Sequence, residues 1–255
     1  MSSSPVTPAA PALLPMSAAA RFAAVFYAPG KAFASLRGTT KWYSFVAPWL
    51  LISVFSVIYV ATIGQKVGWQ QVFENNMRMA GPSAAGRFDQ MPPAQRAQAL
   101  RTAVAFTKGF SYGFPLVSLV VLIIIGAVLL GTFNFGAGAQ LDFKTSLAVV
   151  AYASLPDILK LVLAIATLFA GVSPDGFMIQ NPVATNPGYF MDYTQHPALT
   201  SLLMRLDVFS LWSLVLMGVG FAAVSKMKRG TTMTVVFGWY IFVALVGAGW
   251  ALLQG

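Results

Sequence analysis

Residues 110 to 133 read FSYGFPLVSLVVLIIIGAVLLGTF, a stretch without one charged side chain. At 1.5 Å per residue, a helix of roughly 20 residues crosses a hydrocarbon core of about 30 Å. Lipid offers a bare backbone no hydrogen bonds, so a segment of this kind satisfies its amides internally, as a helix. Working outward, four further apolar stretches have the same length: 43 to 63 on the N-terminal side, and 146 to 170, 206 to 224 and 232 to 253 on the C-terminal side. These predict an all-α fold, a polytopic membrane helix bundle with five transmembrane helices.

Composition agrees. Of 255 residues, 57% are hydrophobic and only 9% charged, where a soluble domain carries about 25% charged residues. The net charge of +9 arises from 16 Lys and Arg against 7 Asp and Glu. The bases are scattered over short connections, which suits loops held against anionic lipid heads and argues against a nucleic-acid partner. Cysteine is absent, which excludes disulfides and thiolate metal sites.

The chain divides into three parts. Residues 1 to 16 are rich in Ser, Pro and Ala without charge, the pattern of a disordered tail. Residues 17 to 41 form an amphipathic interfacial segment, in which Phe22, Val25, Phe26, Phe33 and Leu36 make an apolar stripe flanked by Arg21, Lys31, Arg37 and Lys41. The five-span domain occupies residues 42 to 254. Trp42, Tyr43 and Trp49 on the first span, and Trp239, Tyr240 and Trp250 on the last, suit interfacial belts.

Basic residues flank the N-terminal segment and recur at Lys226, Lys228 and Arg229, whereas residues 171 to 204 carry none. This asymmetry predicts a cytoplasmic N-terminus and an outward C-terminus. The long connection from Gly64 to Gly109 is basic yet falls outside, as long segments do with less regard to charge. It is predicted to hold helices, one bearing Trp69, Val72, Phe73 and Asn76, and another opened by Pro92-Pro93. Residues 173 to 200 lack periodicity and fit either an ordered cap or a mobile lid.

Chemistry-bearing residues concentrate in span three, at Tyr152-Ala-Ser-Leu-Pro156-Asp157-Ile-Leu-Lys160. An Asp or Lys at mid-helix costs about 2.5 to 3.5 kcal/mol on insertion scales. At i, i+3 Asp157 and Lys160 share a face and can pair. Pro156 has no amide hydrogen for the carbonyl of Tyr152, leaving that oxygen to a side chain, a water or an ion. A polar pocket or ion path is one reading; a neutralised pair locking helices beside a proline kink is the other. Asp207, followed by Trp212, opens span four, where a carboxylate either caps the helix or turns toward Asp157 or Lys160. The candidate polar intramembrane site is therefore Tyr152, Pro156, Asp157, Lys160, Asp207 and Trp212.

Gly109-Phe-Ser111-Tyr-Gly113 matches the G-x-S-x-G pattern, but no strand precedes it, and the sole His, His196, sits in a loop. The two glycines are expected to serve close helix packing. No catalytic residue, cofactor site or metal site is assigned; one His and no Cys make a poor transition-metal set.

The run Ala-Tyr152-Ala-Ser-Leu-Pro156 resembles the Yip family, the Ypt/Rab-interacting integral membrane proteins, in its bacterial branch. Three further segments carry the likeness: Phe26-Tyr-Ala-Pro29 with Ala32-Phe33, Phe143-Lys144, and Leu206-Asp207-Val-Phe-Ser-Leu-Trp212. Their order and spacing, over roughly residues 20 to 252, make the resemblance. It implies five spans with a cytoplasmic N-terminus. Eukaryotic relatives are associated with Rab GTPases, but the first 40 residues here are short and basic and lack the long acidic or Gln-rich region, so Rab binding does not carry over. For the bacterial branch the resemblance implies no established activity.

Two functions are weighed: a non-enzymatic protein of the bacterial inner membrane that organises lipid or partner proteins, and a small-solute, ion or lipid transporter using span three. The expected partners are membrane lipids, with membrane proteins or further copies of the chain as open alternatives.

Overall fold

The structure, a computed structural model, describes residues 16–80 and 82–254. The tail read from residues 1 to 16 lies, Met16 apart, outside the described residues. Among them every regular element is helical. The N-terminal segment holds α1 (Ala18–Tyr27) and α2 (Pro29–Ala34); α3 (Val46–Lys66) follows, then α4 (Trp69–Met79), α5 (Pro82–Asp89) and α6 (Pro93–Tyr112). Next come α7 (Phe114–Gly131), a π turn (Thr132–Gly136), α8 (Phe143–Ala153) and α9 (Pro156–Phe169). A 3₁₀ turn (Pro187–Phe190) leads to α10 (Pro197–Met204), α11 (Val208–Ser225) and α12 (Arg229–Gln254).

Among the described residues, five segments are long and apolar enough to cross a membrane: α3, α7 with its π turn, α8 with α9, α11, and Arg229–Ala251 of α12. The second begins at Phe114, later than its sequence suggested, because α6 runs to Tyr112 and Pro115 fits only the first turn of a new helix.

The central helix is α11, which packs on α2, α8, α9 and α12; α3 packs on α7 and α9, and α10 on α12. Small residues set these distances. A Cβ at Gly220 would lie 2.7 Å from Val149 and 3.0 Å from Phe33, and Gly218 is filled in the same way by Met233. Gly109 and Gly113 do not serve this purpose: Gly109 faces open space, and Gly113 meets only backbone of its own turn. Ser111 lies inside α6 with its hydroxyl donated to Thr107 carbonyl at 2.8 Å, so no nucleophile elbow exists there.

The N-terminal segment is amphipathic, and its apolar face packs on the bundle. Val25, Ala32 and Phe33 are fully buried. Phe26 meets Trp212 edge-on at 5.6 Å, Phe33 lies against Gly220, and Arg37 donates to the Ala223 carbonyl. From Trp212 to Ala223 is about 16 Å of helix at 1.5 Å per residue. The segment thus runs along α11 for more than half its length.

Two apolar cores result. One gathers α1, α2, α7, α8, α11 and part of α12 around Phe33, Phe133, Tyr152 and Phe221. The other joins Tyr59 and Ile63 of α3, Val72 of α4, and Ala164 and Leu168 of α9 to Phe177 and Val183. Of residues 173 to 200, Phe177 and Val183 pack into the second core, so this part of the segment lies as a cap over α3, α4 and α9. Tyr59 hydroxyl donates to Ile179 carbonyl at 3.1 Å, and buried Asn75 of α4 donates to Pro174 and Phe177 carbonyls at 2.9 and 3.0 Å. Farther out, Asp192 accepts from the Thr194 hydroxyl and amide, which hold its carboxyl below the usual range.

The aromatic belt is divided. Trp42, Tyr43 and Trp250 are exposed near span ends. Trp49 instead donates to Pro115 carbonyl at 3.1 Å, Trp239 to Thr132 hydroxyl at 2.9 Å, and Tyr240 to Arg205 carbonyl at 2.5 Å.

Candidate functional site

Span three is interrupted at its proline. Pro156 starts α9, and Ser154-Leu155 turns between the two halves. Within the break the bonds shorten to the i, i+3 pattern: Leu155 amide to Tyr152 carbonyl at 3.3 Å, Asp157 to Ser154 at 3.0 Å and Ile158 to Leu155 at 3.0 Å. The Tyr152 carbonyl, which proline leaves without its usual donor, is taken by the Leu155 amide. Ser154 hydroxyl donates to Val150 carbonyl at 3.0 Å, bending the end of α8.

The ion pair expected between Asp157 and Lys160 is not the one that forms. Lys160 Nζ lies 3.1 Å from Asp207 Oδ2, with the two side chains 22% and 2% exposed. The reason is geometric. Asp157 and Lys160 stand on one face of α9, but Asp207 arrives at that face from the start of α11 and already has its oxygens oriented. Its Oδ1 accepts from the amides of Phe209 and Ser210 at 3.1 and 3.0 Å and from the Ser210 hydroxyl at 3.3 Å. Its Oδ2 accepts from the Thr185 hydroxyl besides Lys160. Capping and turning inward, alternatives in the sequence, are both true of Asp207. A carboxylate at a helix start is favoured by the dipole, and five donors compensate its burial.

Asp157 occupies the first turn of α9, half-buried, within electrostatic reach of Lys160 and Asp207. Among the described residues its carboxylate makes no hydrogen bond or ion pair. Tyr240 of α12 stands within reach of Asp157, Asp207 and Arg205. The cap-side cluster therefore spans α9, the cap, α11 and α12.

Tyr152 and Trp212 do not join it. Buried Tyr152 faces the N-terminal segment, where Arg21 donates to its hydroxyl at 3.3 Å, to Ser35 hydroxyl at 3.0 Å and to Met16 carbonyl at 3.0 Å. The guanidinium also lies 5.2 Å from the Tyr152 ring centre, and Phe22 packs on that ring at 5.5 Å. Arg21 is only 8% exposed, and these partners are all neutral. Trp212 contributes to the seat of Phe26. The six predicted residues thus split into a cap-side group (Pro156, Asp157, Lys160, Asp207) and a pair turned to the N-terminal helices (Tyr152, Trp212).

Sequence reasoning missed Arg21, Ser35, Thr185 and Tyr240 as site residues. Arg21 had a signal: it stands three and four positions before Ala24 and Val25, on the buried stripe of α1. Thr185 and Tyr240 had none, because their partners are distant in the chain.

No group of three His, Asp or Glu that could hold a metal ion occurs among the described residues. What the arrangement does chemically is tie elements together through buried charge and helix caps. No curated protein and no solved structure matches the chain. The profile of the Yip1 domain matches residues 23–251, which takes in the second half of α1, all of α2, α3 to α11, and span five. An all-α, five-span chain so matched over most of its length belongs to the Yip family.

Proposed function

We propose that this protein is a non-enzymatic organiser of lipid or partner proteins in a bacterial inner membrane, with its N-terminus in the cytoplasm. The observation that carries the reading is Asp207. Its five donors come from α9, the cap and α11, so the charged groups of the span-three break serve to lock three elements into one body. The basic N-terminal flank and the Lys226–Arg229 turn support the orientation. Membrane lipids are the partners nearest at hand, with membrane proteins or further copies of the chain as the protein partners.

A second reading, transport of a small solute, ion or lipid, draws on one observation: Asp157 stands half-buried and unpaired at a helix break within the membrane span. Flux assays on the purified chain in proteoliposomes separate the two. Organisation predicts the passive leak of empty vesicles, unchanged by Asp157→Asn. Ion- or solute-coupled uptake that Asp157→Asn abolishes would sink the organising role and install the transporter.

A further inference from the structure

Between the inner end of span two and span five the surface is notched. Thr132, Thr234, Val235, Gly238, Trp239 and Phe242 line a groove of about 300 Å³. Its lining is apolar apart from two threonines, and the Thr132 hydroxyl is already engaged by the Trp239 indole at 2.9 Å. Gly238 opens the groove, since a Cβ there would meet nothing within 4 Å. Phe242 and Trp239 remain 56% and 38% exposed on its wall. The groove lies on membrane-crossing segments, so hydrocarbon is what surrounds it.

Its basic end supplies a second observation. Lys228 precedes α12, and its carbonyl accepts from the Thr232 amide at 3.3 Å. It stands one residue before the first turn of α12, at the end toward which Val235, Trp239 and Phe242 run. Lys31, Arg37, Lys41, Lys144, Lys226 and Arg229 are also exposed toward this end, against one exposed acid, Asp142. The first amides of α12 add the positive end of a long helix. Together these make an acyl-sized apolar slot capped by positive charge, complementary to an anionic glycerophospholipid.

We infer that the groove seats one anionic phospholipid, its acyl chain along Gly238 and Trp239 and its phosphate at Lys228 and the start of α12. The inference deepens the organising role proposed above, because it names the lipid class and the place. Free phosphate lacks the chain that the slot accommodates, and a zwitterionic lipid gains little from the basic rim.

The full chain, reconstituted in phosphatidylcholine, tests this with lipids brominated on the acyl chain, which quench tryptophan on contact. The part of the signal due to Trp239 is isolated by subtracting the Trp239→Phe variant. Brominated phosphatidylglycerol should quench Trp239 at a mole fraction about fivefold lower than brominated phosphatidylcholine, the effect of roughly one base at an anionic surface. Lys228→Gln should bring the two lipids level. Gly238→Leu, whose Cβ meets no neighbour and whose branched end occupies the slot, should remove most quenching by either lipid while thermal unfolding stays unchanged. Equal quenching by both lipids in the parent chain overturns the inference. So does Gly238→Leu with full quenching, or one that changes the oligomeric state and leaves quenching intact, which would make the groove a contact between copies. Quenching reads only the groove, so its failure leaves the flux result, and the organising role, standing.

Discussion

Asp207 shows how a carboxylate can be placed at the end of a membrane helix. Its cost is offset by two helix amides, two hydroxyls and one ammonium, and removal of any one donor group leaves the rest. Lys160 has no such reserve, because Asp207 is its one ion-pair partner among the described residues. Asp207→Asn should therefore lower the unfolding temperature in detergent more than Lys160→Met does. Stranding a buried charge costs about 3 to 5 kcal/mol, and the double variant should recover most of the loss. Asp207→Ala should be worse still, since it also removes a cap worth about 0.5 to 2 kcal/mol. Asp157→Asn should leave the unfolding temperature almost unchanged, having no bond to lose. Additive effects of the Lys160 and Asp207 variants would dispose of the ion-pair account.

At the scale of elements, the five spans were legible because hydrophobicity over 20 residues is a strong local signal. The break in span three was half legible: Pro156 announced it, but a kink and a two-residue turn look alike in sequence. The partner of Lys160 was not legible, because i, i+3 spacing speaks only of one helix while Asp207 comes from another. The destination of the α1–α2 stripe was equally hidden, since an apolar face does not say whether lipid or protein will cover it. Here Phe33, fully buried against Gly220, decides. Phe33→Ala should destabilise by about 3 to 5 kcal/mol, the range for emptying a buried phenylalanine site. Gly220→Ala should also destabilise, because its Cβ would press on Val149 and Phe33. Chemical denaturation of both variants in mild detergent measures this. If Phe33→Ala unfolds like the parent, α1 and α2 are an ornament and not part of the core.

For the molecule as a whole, the bundle has a basic end and a capped end, and the two cores sit toward them. Reporter fusions at Gly230 and at Gly255 should fall on opposite sides, with Gly230 cytoplasmic; both on one side would mean that α12 does not cross. The division of span three has a further consequence, for biogenesis. A nascent chain delivers α8 and α9 to the bilayer before α11 has been synthesised. During that interval Asp157, on the same face of α9, is the one anion within reach of Lys160, and Asp207 does not yet exist. Span three should thus settle fully only once span four supplies Asp207, its insertion sequential in synthesis but paired in commitment. In chains halted before Asp207, a single cysteine introduced beside Lys160 should stay reachable by a membrane-impermeant thiol reagent, whereas chains that include α11 should protect it; the chain has no cysteine of its own.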